Sequence, residues 1–246
     1  MITRYFIEVA YKGTRYAGFQ IQPNANSIQA EVEKALKIFF KEDIRLACSS
    51  RTDAGVHALS NYFHFDAISL PSNEALDRSP YNLNAILPGD IVIKQIYQVQ
   101  PTAHSRFDAI SRSYRYSIYQ TKNPFIIDSA YYFPYKLDID KLQEAASVLI
   151  GLHDFTSFSK KNTQVKTFNC TILKSEWSLQ SDCTIYNVEG NRFLRGMVRG
   201  LVGTMLKVGT GKTTLDQFKN IIQNRDCTKA DFSVPPQGLF LLKVKY

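Results

Sequence analysis

Cysteine is scarce in this sequence, and the placement of the cysteines argues against a disulfide framework and against a zinc site. There is no CxxC pair and no cysteine close to a histidine. A disulfide framework or a zinc site needs ligands grouped at short spacing, so we expect neither. Reduced thiols in the cytoplasm are the default for such a pattern. The four cysteines are Cys48, Cys170, Cys183 and Cys227.

Long apolar runs are missing as well. No stretch approaches the roughly 18 apolar residues of a membrane-spanning helix. The opening MITRYFIEVAYKG alternates like a β-strand and lacks the apolar block of a signal peptide. We therefore expect no membrane association. The sequence also has no low-complexity segment and no repeat of the solenoid kind.

Acidic residues are outnumbered by basic ones. The 246 residues include 30 lysines and arginines against 22 aspartates and glutamates, which gives a formal net charge of +8. Such a surplus is compatible with a polyanionic partner such as nucleic acid, but many basic proteins bind none. Whether the protein binds nucleic acid therefore has to be judged from the positions of its lysines and arginines.

Strand-like and helix-like segments alternate along the chain. Several strands are joined by turns too short for a parallel crossover, so we predict an α+β fold with a mixed, largely antiparallel sheet and helices on one face. We predict two halves, residues 1–105 and 106–246. The predicted strands are RYFIEVAY, IRLACSS, SNYFHFD, IVIKQIYQV, SYRYSIYQ, ILKSEWSL, CTIYNVEG and GLFLLKVKY. The predicted helices cover NSIQAEVEKALKIFF, DIDKLQEAASVLIG and residues near 193–207 and 214–224.

One segment imitates a phosphate-binding loop. GTGKTT at residues 209–214 contains Gly-Lys-Thr, but the motif requires a further glycine five residues before Gly211, where Leu206 stands. The segment also follows a helical pattern, whereas a phosphate loop follows a strand. We interpret Gly209 and Gly211 as the end of a helix.

The first candidate site is SSRTDAGVHA at residues 49–58. It holds one acid, Asp53, between Arg51 and Gly55, on a tight loop that follows a predicted strand. The carboxylate either only accepts N–H bonds in the turn or carries chemistry, and the stretch alone favours the first. The four histidines, His57 among them, are predicted to be structural or surface residues.

The second candidate site is RFDAISRSYRYSIY. In a strand, Arg112, Tyr114 and Tyr116 share one face. Guanidinium groups meet phosphates and tyrosine rings stack on bases, so this alternation suits a nucleic-acid surface. A sheet face built from amphipathic tyrosines explains it about as well.

The third candidate site is GNRFLRGMVRGLVGTMLKVG. On a helix, Arg192, Arg195 and Arg199 fall within about 60° of one another, opposite an apolar side. No acid occurs between Gly190 and Thr214 that would neutralise this stripe. The arginines need an external anion or an acid from elsewhere in the fold, unless they form a solvated cationic face.

Together and in this order, the three sites resemble the tRNA pseudouridine synthase A family over essentially the whole chain. RTDAGVHA is similar to the family's central signature and is the most specific match, and YKGTRYAGFQ resembles its opening motif. LNAILPGDI, RFDAISRSYRY, GLHDFTSF, FLRGMVRGLVG and PPQGLFL also match in order. The chain departs from the family pattern at Lys12, Phe19, Ser50 and the pair Arg195-Gly196, none of which replaces the aspartate.

The resemblance implies an isomerase that converts uridine to pseudouridine at positions 38, 39 and 40 of the tRNA anticodon stem-loop, with base flipping and without cofactor or metal. It implies that Asp53 is the catalytic nucleophile, that Tyr114 stacks on the target uracil and that Arg199 pairs with Asp53. Arg51 and Arg195 complete the expected substrate-binding residues. The implied fold has two α+β halves of one chain that share a central sheet, with the catalytic cleft between these halves, and the implied assembly is a homodimer.

Two other functions and one mechanistic choice stay open. A non-catalytic tRNA-binding or RNA-chaperone protein would keep the basic surface without turnover, although the intact Asp53, Tyr114 and Arg199 argue against it. A methyltransferase acting at uracil C5 would need an activated cysteine and a glycine-rich methyl-donor site, and neither is apparent in the sequence. Asp53 attacks either C1′ of the ribose or C6 of the base.

Overall fold

The structure is a computed structural model that describes residues 2–67, 73–161 and 165–246. These residues form ten strands and five α-helices, and the predicted α+β class is confirmed. The strands are β1 (Thr3–Tyr11), β2 (Ala47–Cys48), β3 (His57–Ala67), β4 (Ile91–Val99), β5 (Ser111–Tyr119), β6 (Tyr131–Tyr132), β7 (Gly151–Asp154), β8 (Asn169–Gln180), β9 (Cys183–Gly190) and β10 (Leu239–Lys245). The helices are α1 (Ile28–Phe40), α2 (Asn73–Ile86), α3 (Ile139–Ser147), α4 (Met197–Gly209) and α5 (Leu215–Asn224).

The sheet is open and mostly antiparallel. Its strand order is β4-β1-β3-β10-β5-β9-β8-β7, with β2 beside β3 and β6 beside β5. The pair of β5 and β6 is parallel. The chain also divides into two compact units, Met1–Ile110 with Leu241–Tyr246, and Ser111–Phe240. The predicted division into residues 1–105 and 106–246 stays a prediction.

In the first unit, β1 lies between β3 and β4 and pairs antiparallel with both. Helix α1 begins where the Ser27 hydroxyl accepts the Ala30 N–H, a normal N-cap, and ends at Lys41 in the left-handed conformation. Its apolar positions, Ile28 and Val32 among them, are buried at the period expected of an amphipathic helix. This packing gives the first unit a hydrophobic core of its own.

In the second unit, β5, β9, β8 and β7 follow one another as antiparallel neighbours. Helix α3 begins at Asp138, whose carboxylate accepts the Lys141 N–H. Helix α5 begins with a capping box in which Thr214 and Gln217 each bond the other's backbone. Gly209 is the last residue of α4, so the interpretation of GTGKTT as a helix end is confirmed.

Three secondary-structure predictions are wrong. The helix predicted from residue 193 begins at Met197, because Gly196 before it has φ 74° and cannot continue a right-handed helix. The strand predicted for IRLACSS is reduced to β2. Helix α2 was not predicted; its sequence is polar and contains Pro80, which disfavours a helix interior. Within the described residues, no helix has the length and apolar character needed to cross a bilayer.

Candidate active site

Asp53 lies on the loop between β2 and β3. The Val56 N–H donates to the Asp53 carbonyl at 3.2 Å, which closes the turn, and Gly55 inside it has φ 76°. The backbone therefore forms this turn without help from the Asp53 carboxylate. The side chain itself is half-buried. The turn positions the acid, and the capping role that the sequence favoured is not what holds it together.

The first sequence motif holds the loop in place. The Phe19 N–H donates to the Thr52 carbonyl at 3.0 Å, and the Gly55 N–H donates to the Tyr16 carbonyl at 3.3 Å. The Tyr11 and Thr52 hydroxyls lie 2.8 Å apart in a buried hydrogen bond. The residues on both sides of Asp53 are thus tied to YKGTRYAGFQ, and this explains why the two motifs occur together.

The backbone of the YKGTRYAGFQ motif approaches the Asp53 loop so closely that two of its positions require glycine. A Cβ on Gly13 would lie 2.1 Å from the Val56 carbonyl oxygen, and one on Gly18 would lie 3.0 Å from that of Thr52. Gly18 also has φ 105°, which side chains rarely adopt. These contacts restrict the backbone around Asp53.

The neighbours of Asp53 have distinguishable roles. The His57 Nδ1 accepts the Gly13 N–H at 3.1 Å, and the ring is buried, as predicted for a structural histidine. Arg51 is exposed and approaches the Cys48 thiol. Burial raises the pKa of that thiol, and Arg51 and Arg106 oppose the rise. Among the residues described, no group of three or more potential ligands is arranged to hold a metal ion.

Sequence reasoning missed Asn61, which supports the same loop. This residue is fully buried in β3, and its Nδ2 donates to the Ser50 carbonyl at 2.9 Å and to the Tyr11 hydroxyl at 3.1 Å. Asparagine is depleted in strands. Its presence inside the strand-like run SNYFHFD was the available signal.

In the second unit, Tyr114 lies on β5 with 9% of its surface exposed, and its ring meets the Phe193 ring edge-on at 5.0 Å between centroids. The other members of the arginine–tyrosine alternation have partners within the protein. Arg112 donates to the Asn191 carbonyl, Arg115 lies 4.9 Å from the centre of the Phe240 ring, and the Tyr116 hydroxyl donates to the Pro235 carbonyl. These partners favour the sheet interpretation for the three residues.

Arg199 lies in the first turn of α4. Its Nε donates to the Val234 carbonyl at 2.8 Å, and the side chain is half-buried. Val234 precedes Pro235, which accepts the Tyr116 hydroxyl, so one short segment contacts both β5 and α4. The sequence did not indicate the Val234 carbonyl as the acceptor for Arg199, because every residue has a backbone carbonyl and the side-chain pattern does not distinguish this one.

Two glycines let that segment approach α4. A Cβ on Gly203 would lie 2.2 Å from the Asp231 carbonyl oxygen, and one on Gly200 would lie 2.7 Å from the Phe232 ring. The Thr204 hydroxyl also accepts the Asp231 N–H at 2.9 Å. The motif FLRGMVRGLVG is therefore packed against residues 231–234, which directly precede PPQGLFL, and the Val234 carbonyl in that segment holds the Arg199 side chain.

The arginine stripe is not a feature of one helix. Arg192 and Arg195 lie in the loop before α4, and only Arg199 is helical. Arg195 is exposed, and its carbonyl accepts the Lys160 N–H at 3.0 Å. The five predicted site residues are thus distributed with Asp53 and Arg51 in the first unit and Tyr114, Arg195 and Arg199 in the second.

Comparison with known proteins shows the family. Residues 145–246 match the family model described as tRNA pseudouridine synthase. A Bacteroides fragilis protein named tRNA pseudouridine synthase A is 44% identical over 246 residues, covering 100% of this chain and 97% of the relative. The protein of that name from Bacillus subtilis is 39% identical over 243 residues, covering 97% of each chain. The chain belongs to the tRNA pseudouridine synthase family.

As a tRNA pseudouridine synthase family member, the chain is an enzyme, an isomerase of RNA modification. The resemblance inferred from the motifs is confirmed over the full length. In this chain, contacts of the first motif order the Asp53 loop, and the Val234 carbonyl holds Arg199 at the start of α4.

Proposed function

We propose that this protein converts uridine to pseudouridine at positions 38, 39 and 40 of the tRNA anticodon stem-loop, with Asp53 as the nucleophile. The observation that carries the proposal is the Asp53 loop. Its turn is closed by backbone hydrogen bonds and anchored by Tyr11, Tyr16 and Phe19. The Asp53 carboxylate is therefore held at a defined position, although the turn does not need it to form.

The reaction needs few groups. The N-glycosidic bond breaks, the uracil turns, C5 bonds to the ribose carbon, and the C5 proton moves to nitrogen by way of a base. One carboxylate supports this series of steps by attacking C1′ of the ribose or C6 of the base. The target base is normally stacked, so the enzyme has to flip it out at a cost of a few kcal/mol. Stacking on Tyr114 recovers about 1–3 kcal/mol of that cost.

Arg199 is assigned to pair with Asp53. A guanidinium carries five N–H donors in a fixed fork, and Val234 takes the one on Nε. In the part of the chain that the structure describes, the Nη groups have no hydrogen-bond partner, so they are available to a carboxylate that bound RNA has desolvated. A nearby guanidinium keeps such an acid ionised and oriented. Arg51 and Arg195, both exposed, are assigned to phosphates. The proposal includes a homodimer that acts in the cytoplasm.

The test is the conversion of an unmodified tRNA transcript by the purified protein. Isomerisation leaves the RNA mass unchanged, and derivatisation of pseudouridine then maps the product to positions 38–40. A gain of mass would indicate a methyltransferase instead. Unchanged mass without derivatisable product would indicate a binding protein without turnover.

Arg195→Ala is expected to weaken tRNA binding and to reduce the slope of log affinity against log salt by roughly one unit, because one phosphate contact releases about one counterion. The measurement is a titration of labelled tRNA at several salt concentrations. Lys219→Ala, which removes a cation paired with Asp216, is the matched control and should leave the slope unchanged. A normal slope in Arg195→Ala would place Arg195 away from the RNA.

A further inference from the structure

Three aromatic side chains form a row in the second unit. The Tyr131 and Phe133 ring centres are 5.6 Å apart, and those of Phe133 and Tyr135 are 5.1 Å apart. We call Tyr131, Phe133 and Tyr135 the aromatic row. None of the site residues discussed above belongs to it.

The backbone holds the aromatic row in an extended conformation. Tyr131 pairs with Ile118 in the parallel ladder of β5 and β6, and the Phe133 N–H donates to the Tyr119 carbonyl at 2.9 Å. The Gln120 Nε2 donates to the Tyr135 carbonyl at 2.6 Å. In an extended chain alternate side chains share a side, so this anchoring places the three rings together.

The outer end of the aromatic row combines an exposed ring with a cation. Tyr135 has 60% of its surface exposed, and the Lys212 Nζ lies 5.6 Å from its ring centre. Lys136, the next residue, is also exposed. Lys207 pairs with Asp231 at 3.1 Å, whereas in the described ranges neither Lys212 nor Lys136 forms an ion pair. Positive charge without an ion-pair partner in the described residues therefore lies near Tyr135.

The inner end of the aromatic row lies beside β5, the strand that contacts the segment holding Arg199. Tyr131 lies in the register position next to Ile118, and its phenol adds to the rise that burial causes in the pKa of Tyr116. The Tyr116 hydroxyl donates to Pro235, beside the Val234 carbonyl that accepts from Arg199. The row thus begins beside β5, the strand whose Tyr116 contacts the segment that holds Arg199, and ends at the exposed ring of Tyr135.

We propose that the aromatic row and Lys212 bind an unpaired segment of the RNA substrate, with a base on the exposed Tyr135 ring at the outer end of the row and a phosphate on Lys212. Unpaired bases expose faces that stack on aromatic rings, whereas the bases of a duplex are already stacked. The unneutralised lysines complement a polyanion. The inference rests on the proposed function, since it assumes an RNA substrate.

The experiment compares two RNA probes, a short fluorescein-labelled oligouridylate and a fully paired duplex of the same length. Tyr135→Ala should bind the oligouridylate about tenfold more weakly, as expected for the loss of one base–aromatic stack, and the duplex normally. Tyr135→Phe keeps the ring and should bind both normally. Lys212→Gln should reduce the salt slope for the oligouridylate by roughly one unit. Tyr81→Ala removes an exposed tyrosine of α2 in the first unit and serves as the matched control.

Three results would overturn the proposal. Normal oligouridylate binding by Tyr135→Ala would show that the aromatic row does not stack bases. An equal loss on both probes would show a general effect on charge or fold. A change of oligomeric state in Tyr135→Ala, measured by light scattering, would assign the row to a second copy of the chain. Pseudouridine formation by the unaltered protein tests the proposed function separately, so the two failures are distinguishable.

Discussion

Asp53→Asn is expected to abolish pseudouridine formation while tRNA affinity stays within a few-fold. Asparagine keeps the volume of the side chain but is not a nucleophile, so the chemical step loses its attacking group. The turn should survive, because it is closed by the Val56 N–H and the Asp53 carbonyl. The measurement is single-turnover conversion of tRNA, together with a binding titration on the same preparation.

Asp43→Asn is the matched control for this substitution. Asp43 is an exposed acid of the same unit that pairs with Lys37, and its loss should change neither turnover nor binding. Turnover by Asp53→Asn near the normal rate would contradict the assignment of the nucleophile. Loss of tRNA binding together with a lowered unfolding midpoint would show instead that the carboxylate supports the loop.

Tyr114→Phe is expected to bind tRNA nearly normally but to slow turnover by about 10²-fold or more, because the ring is kept and the hydroxyl lost. We hypothesise that this hydroxyl helps to take the C5 proton once the new carbon–carbon bond has formed. The variant should then accumulate RNA in which the glycosidic bond is already cleaved. Rapid quenching followed by analysis of the RNA detects that species.

Two further variants distinguish the effect of losing the Tyr114 ring from a general effect on strand β5. Tyr114→Leu loses ring and hydroxyl together, so its tRNA affinity should fall as well. Tyr116→Phe, on the same strand, loses the hydrogen bond to Pro235 and should cost about 1 kcal/mol of stability without slowing the folded enzyme. Full activity of Tyr114→Phe would exclude the hydroxyl as the base. Normal binding and turnover of Tyr114→Leu would make Tyr114 an ordinary sheet residue.

Strands were easier to predict than helices in this chain, for a physical reason. The run CTIYNVEG has β-branched and aromatic residues and ends at a turn, and β9 spans those same residues, Cys183–Gly190. The start of α4 was predicted wrongly because the apolar period continues through Gly196, and only the backbone shows its positive φ. Helix α2 has no strong sequence signal, because it is polar and has Pro80 inside it.

The candidate site was predictable in its residue types but not in its supports. Asp53 and Arg199 stand in motifs whose order is readable from the sequence. What holds them is backbone geometry: the Thr52 carbonyl, the Val234 carbonyl and the close approach at Gly203. Main-chain contacts depend on tertiary packing, so no side-chain pattern could have revealed them.

The measurement that tests the central claim most directly is a derivatised pseudouridine map of tRNA from cells that lack this protein. The account predicts that the signal at positions 38, 39 and 40 disappears, returns when the unaltered protein is supplied, and stays absent when Asp53→Asn is supplied at the same level. Persistence of the signal in the deficient cells, or its full return with Asp53→Asn, would contradict the account.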